Sequence, residues 1–130
     1  MAKTLEDYSQ VTDRVVLLRD TPWSRRNVPD CLSEDPPTPD RCGFALEGRA
    51  WLDEAYLAEE LKVGGDLVEA IDMTRFICET DPCNIISGDG IIKYRDGQHL
   101  TATVSRSLSG SLGEAIEALL DRPLASSAGT

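Results

Sequence analysis

Positive charge is scarce in this sequence. Its 130 residues hold 13 Lys and Arg against 23 Asp and Glu, a net charge of −10. An acidic domain repels phosphate backbones, so no nucleic-acid partner is expected. Anionic membrane surfaces are disfavoured for the same reason. Long apolar runs are missing too: the longest near the start, Val15 to Leu18, falls far short of the ~20 residues a spanning helix needs. The stretch from Met1 to Tyr8 has no apolar core of the signal-peptide kind, so no export signal is expected there. Histidine occurs once, as His99, and there is no Cys-x-x-Cys knuckle, which argues against zinc. No metal or other cofactor is expected. A Gly-x-Ser-x-Gly nucleophile elbow is absent as well.

What is present reads as one globular domain or part of one, with 41% hydrophobic and 28% charged residues. Residues 3–12 look like the end of a short helix. Arg14 to Arg19 encloses a β-branched and leucine run that reads as a buried parallel strand. It stops at Asp20-Thr-Pro22, because proline cannot continue the ladder. Residues 22–40 contain prolines 22, 29, 36, 37 and 39 and read as a long irregular loop. The longest helical pattern covers 41–62, with Trp51, Ala55, Leu57, Ala58 and Leu61 on its apolar face, and Gly64-Gly65 ends it. Val68 to Met73 reads as a second core strand, followed by a turn of helix to Cys78. Asn84-Ile-Ile86 and Gly90 to Tyr94 flank a turn signal and suggest a hairpin. A helical face runs through Leu100, Val104, Leu108 and Leu112 to Ile116, Leu119 and Leu120. A break is expected near Gly110, with Ser111-x-x-Glu114 as a capping box. The tail 125–130 is expected to be disordered. Strand–helix–strand–helix order points to an α/β layered domain.

Four cysteines sit as two close pairs, Cys31 with Cys42 and Cys78 with Cys83. Four cysteines allow three connectivities, and the two local bridges are the expected ones. Four free thiols are the other reading. Disulfides call for an oxidising compartment, and nothing in residues 1–130 would export the chain.

The chemistry-bearing stretch is Tyr94-Arg-Asp-Gly-Gln-His-Leu-Thr101. Asp96 and His99 are three apart, at an expected junction between a strand and a helix start. There the carboxylate can fold back onto Nδ1–H, fix the tautomer and leave Nε2 free to take a proton from a nucleophile. By spacing alone, the favoured reading is that Asp96 closes a turn and His99 is an ordinary residue near a helix start. Asp20, at a strand end, reads as a turn aspartate. Trp23, Arg25 and Arg26 read as a solvated loop that could also contact an acceptor or acyl donor.

Taken in order, several pieces resemble the C-terminal SGNH domain of acyltransferase-3 family membrane acyltransferases. They are Arg14 to Pro22 with its Asp-Thr-Pro corner, Val28-Pro-Asp-Cys31 with Cys42, Ile71-Asp-Met, Phe76-Ile-Cys78 with Cys83, and Tyr94-Arg-Asp96 with His99-Leu-Thr101. The resemblance covers about residues 12–120. It implies part of a three-layer SGNH-hydrolase-like (flavodoxin-like) α/β domain. Residues 1–124 would be its C-terminal portion. It also implies a Ser-His-Asp triad with His99 as base and Asp96 as orienter, and acyl transfer through an acyl-serine, often acetyl to carbohydrate hydroxyls. A site outside the cytoplasmic membrane, in a longer membrane-associated protein, is implied with it and would suit the disulfides.

The sequence departs from that pattern. It has no Gly-Asp-Ser block, no oxyanion-hole glycine and no Gly-x-Asn-Asp block; its asparagines, Asn27 and Asn84, lie elsewhere. Ser87, Ser105, Ser107, Ser109 and Ser111 lack a nucleophile context. Without a nucleophile and oxyanion hole a base does little. The expected parent therefore supplies the missing N-terminal half of the domain and a membrane acyltransferase region. The alternatives are a non-catalytic, disulfide-stapled binding module and a degenerate fragment.

Overall fold

The computed structural model describes residues 2–34, 39–46 and 51–123. The tail at 125–130 lies outside the described residues, as do Pro36, Pro37 and the side chains of Trp51, Ala55 and Leu57.

Two short parallel strands organise the chain. β1 (Val15–Leu18) pairs with β2 (Val68–Ile71), in a register that sets Val15 opposite Val68 and Leu18 opposite Ile71. Between them run the short helices α2 (Val28–Leu32) and α3 (Pro39–Cys42) and the longer α4 (Trp51–Gly64). α4 packs on β2 and on α1 (Ala2–Ser9). A 3-10 turn over Gly65–Leu67 then delivers the chain to β2. Gly65 takes φ +53 there, a left-handed conformation that costs glycine little. α5 (Thr74–Ile77) follows β2, and α6 (Ala102–Ser107) and α7 (Ser109–Leu120) close the fold, with α7 against β2. The result is a small α/β arrangement, a two-stranded parallel sheet flanked by helices.

Arg14 ties the two ends of this layer together. Its guanidinium donates to the carbonyls of Leu119 and Arg122, and it pairs with Glu69 at 3.3 Å. Arg122 reaches the same carboxylate at 3.3 Å. A cation at the C-terminal end of α7 also satisfies carbonyls that the helix leaves open.

The core runs from Ile71 at the end of β2 to the residues around the disulfides. Cys31–Cys42 joins α2 to α3, and Cys78–Cys83 closes the loop after α5. Both expected bridges are formed. Around them pack Val28, Phe44, Met73, Ile77, Ile85, Tyr94 and Leu119. Phe44 meets Tyr94 edge to face at 5.7 Å. Lys93 is buried there too and donates from Nζ to the Ile77 carbonyl at 2.8 Å, capping α5.

Five local expectations are corrected. β1 is only half covered: Val16 and Leu18 share one face of the strand and are exposed, while Val15 and Leu17 on the other face are partly covered. The 22–40 loop contains α2, started by Asn27, whose side chain accepts from the Asp30 amide, and by Pro29 in the first turn. The 41–62 helix begins only at Trp51. Phe44 instead exchanges backbone hydrogen bonds with Cys83, at 3.2 and 2.7 Å, and that pairing is incompatible with a helix. The 84–94 hairpin makes a single bridge, Ile86 with Ile92, rather than a ladder. Ser111 caps nothing: Leu108, in a helical conformation, ends α6 and starts α7, so the break falls there and Ser111 and Gly110 lie inside α7.

Candidate active site

The chain from Tyr94 to Leu100 is a narrow loop closed at its neck. Tyr94 and Leu100 form an antiparallel bridge, Arg95 N–H donates to the His99 carbonyl at 2.9 Å, and Thr101 N–H donates to the Lys93 carbonyl at 2.8 Å. Asp96, Gly97 and Gln98 form the tip, and α6 begins just after Thr101. The dyad thus sits on a closed loop, two residues before the helix, rather than at a direct strand-to-helix junction.

Asp96 organises this tip. Its Oδ1 accepts from the amides of Gln98 and His99, each at 2.7 Å. Its Oδ2 meets His99 Nδ1 at 2.7 Å. An ionised carboxylate can only accept, so the imidazole proton in this contact is on Nδ1. The His99 amide, the Gln98 amide and then the His99 ring hold the Asp96 carboxyl well below the usual carboxylate range; slight desolvation opposes them. Arg95 stands farther off, at 3.9 Å from Oδ2. The His99 side chain is 60% exposed, and none of the described residues hydrogen-bonds its Nε2.

A second segment is laid across the tip. Ser24 N–H donates to the Gly97 carbonyl at 2.8 Å, and Val28 N–H approaches the Asp96 carbonyl at 3.4 Å. The buried Ser24 hydroxyl donates to the Arg26 carbonyl at 2.7 Å. Farther up, Thr21 donates to the Gln98 carbonyl at 2.9 Å and the fully buried Tyr94 donates from its hydroxyl to the Pro22 carbonyl at 2.7 Å. Between these anchors Arg25 is held at φ +58, a conformation unfavourable for a residue with a Cβ. Residues 21–28 therefore form a strap fixed to the dyad's loop.

Strap and tip enclose a shallow cleft of about 320 Å³, lined by Trp23, Arg25, Arg26 and Asn27 on one side and by the Asp96–His99 tip on the other. No serine lines it. Ser87 is at the hairpin turn, accepting from the Ile91 amide, and Ser107 donates to the Val104 carbonyl in α6. Ser105 lies on α6, and Ser109 and Ser111 lie on α7. Asp20 accepts from the Thr21 amide at 2.8 Å, a turn role. Sequence reading missed Ser24, Asn27, Gly97 and Gln98, since their part in the site rests on contacts some seventy residues apart in the chain. Among the described residues no cluster of three or more His, Cys, Asp or Glu could hold a metal ion, and no helix is long and apolar enough to cross a membrane.

Compared with protein families, the chain matches the SGNH domain (fused to AT3 domains) over residues 1–113. The chain belongs to the SGNH domain family. The match begins earlier than the motif-by-motif resemblance and stops within α7, but it contains Asp96, His99 and all four cysteines. Fusion to AT3 domains in this family agrees with a membrane acyltransferase region as partner. No curated protein and no solved structure matches the chain.

Proposed function

We propose that this SGNH domain carries the acid–base half of an acyl-transfer site, with His99 as general base and Asp96 as its orienter. The nucleophilic serine comes from a Gly-Asp-Ser block outside these residues, in the N-terminal part of the same domain. The observation that carries this reading is the 2.7 Å contact between His99 Nδ1 and an Asp96 carboxylate fixed by two amides, with Nε2 open at a cleft.

In this reaction Nε2 takes the serine hydroxyl proton while the serine oxygen bonds to the acyl carbon. The tetrahedral intermediate collapses, the donor's leaving group takes the proton from Nε2, and an acyl-serine remains. A carbohydrate hydroxyl then gives its proton to Nε2 and attacks the acyl carbon. The new ester leaves, and the serine oxygen recovers the proton. Asp96 stabilises the imidazolium formed in each half without taking its proton. The acyl group is acetyl, and the work is done outside the cytoplasmic membrane, where the two disulfides persist.

A non-catalytic, disulfide-stapled binding module is the second reading, favoured by the serine-free lining of the cleft. The two separate on the parent protein. The reading frame upstream of Met1 is expected to encode a Gly-Asp-Ser block. In the protein so encoded, His99→Ala should lower acetyl transfer to a carbohydrate acceptor by about 10²–10⁴-fold. An upstream frame without that serine, or transfer untouched by His99→Ala, would overturn the enzymatic reading.

A further inference from the structure

The two walls of the cleft are tied to one part of the core, the segment around Cys83 and Ile85, by different kinds of bond. The dyad's loop is tied through Lys93. Its amide donates to the Ile85 carbonyl at 2.9 Å, its carbonyl accepts from the Thr101 amide at 2.8 Å, and its Nζ donates to the Ile77 carbonyl. None of these bonds changes with oxidation state. The strap is tied through sulfur. It runs directly into α2 at Val28, and three residues later Cys31 is bonded to Cys42. Cys42 is itself fixed to the core: Phe44, two residues on, exchanges backbone hydrogen bonds with Cys83, and a β-carbon on Gly43 would stand 3.0 Å from the Cys83 carbonyl oxygen.

Little else secures that end of the strap. α2 has five residues, too few to stand as a helix on its own. Only Val28, Cys31 and part of Leu32 reach the core from it. The Val28 amide makes the longest of the strap's backbone contacts with the tip, 3.4 Å to the Asp96 carbonyl, against 2.8 Å from Ser24 to Gly97. Arg25, between Ser24 and Val28, sits at φ +58, an unfavourable angle that a strap free at one end would relax.

We propose that Cys31–Cys42 is a redox latch on the cleft: as a disulfide it seats residues 24–28 against the dyad's loop, and its reduction by a dithiol lets that end of the strap go. The exchange moves two electrons. The bond between Cys31 and Cys42 breaks as one forms between the sulfurs of the dithiol, whose two protons end on the Cys31 and Cys42 thiols. Both cysteines are buried, but Pro29, Asp30, Asp40 and Arg41 beside them are exposed. Fraying of the two short helices is enough to bring the bridge to a dithiol without opening the rest of the core. The latch concerns the shape of the cleft and stands whether or not His99 serves acyl transfer.

The test is 15N relaxation of the 130-residue chain, with Cys31→Ala/Cys42→Ala as the permanently open form. In the parent, the amides of Ser24 to Val28 should have order parameters of about 0.85, like those of β2. In the open form they should fall below about 0.6, while Tyr94, His99 and β2 keep theirs. A second measurement serves if the double variant does not fold. In the parent, rising dithiothreitol should shift the strap amides in step with the free Cys31 and Cys42 counted by alkylation, and re-oxidation should return them. Order parameters of 24–28 unchanged with the bridge open would overturn the latch. So would loosening shared equally by Tyr94, His99 and β2, or loss of the whole fold in step with those thiols, since the bridge would then be a staple of the fold rather than a latch on the strap.

Discussion

A β-carbon on Gly97 would lie 3.0 Å from the carbonyl oxygen of Arg26. The obstacle is backbone, and that backbone belongs to the strap that lines the cleft opposite His99. Glycine is required here by the closeness of two chain segments rather than by an unusual φ.

Gly97→Ala should therefore force strap and tip apart by a few tenths of an ångström. The expected cost is about 1–3 kcal/mol, the range for overpacking, read from chemical denaturation. The Ser24 to Gly97 hydrogen bond should weaken, and the Ser24 amide should exchange faster with solvent. A protein as stable as the parent, with Ser24 equally protected, would mean that the two segments are not locked.

Asp96 makes stability depend on pH in a defined direction. Its carboxyl is depressed in the folded chain relative to the unfolded one, where about 3.9 is ordinary. The unfolded state thus binds the proton more readily, and the Asp96 contribution is full above the unfolded value. It declines as pH falls through and below about 4 toward the depressed folded value. The chain holds twenty-two other Asp and Glu, so the informative quantity is the difference between parent and Asp96→Asn. The parent should be the more stable at pH 6, and the gap should shrink on acidification to pH 2. A gap independent of pH would show that the carboxylate charge does not matter to the tip.

The same pair fixes a tautomer. With one histidine in the chain, the imidazole nitrogen spectrum has a single source. In its neutral form His99 should be protonated on Nδ1, since that nitrogen faces Asp96 Oδ2. Asp96→Asn can turn a donor amide to the ring, and the population should shift toward the Nε2–H form. A neutral ring that is mainly Nε2–H in the parent would remove the basis for an Nε2 general base.

Much of this was legible in the sequence because the signals were local. Asp96 and His99 are three residues apart, each cysteine bridges to its neighbour in sequence, and β1 and β2 announce themselves by compact apolar runs. What was not legible came from distant contacts. Phe44 reads as helical until Cys83 claims its amide and carbonyl. Ser24, Asn27 and Gly97 are unremarkable as letters; only the crossing of residues 21–28 over 96–98 gives them a role. The buried reading of β1 failed for a similar reason, since burial of Val16 and Leu18 needs an element packed over the face of the sheet they share.

Tyr94 carries the neck of the loop and tests how far the site depends on the core. It is fully buried, meets Phe44 edge to face, and donates to the Pro22 carbonyl at 2.7 Å. Tyr94→Phe keeps the ring and its packing but leaves that carbonyl without the hydroxyl. A neutral hydrogen bond of this kind is worth about 1 kcal/mol, and up to about 3 if the acceptor is stranded away from water. The loss should fall on the strap first, because Pro22 leads directly into Trp23. Denaturation should show the cost, and the amides of Trp23 and Ser24 should exchange faster while those of β2 stay protected to the global limit. If β2 loosens equally, the hydroxyl supports the fold as a whole, and the strap has no separate hold on the core.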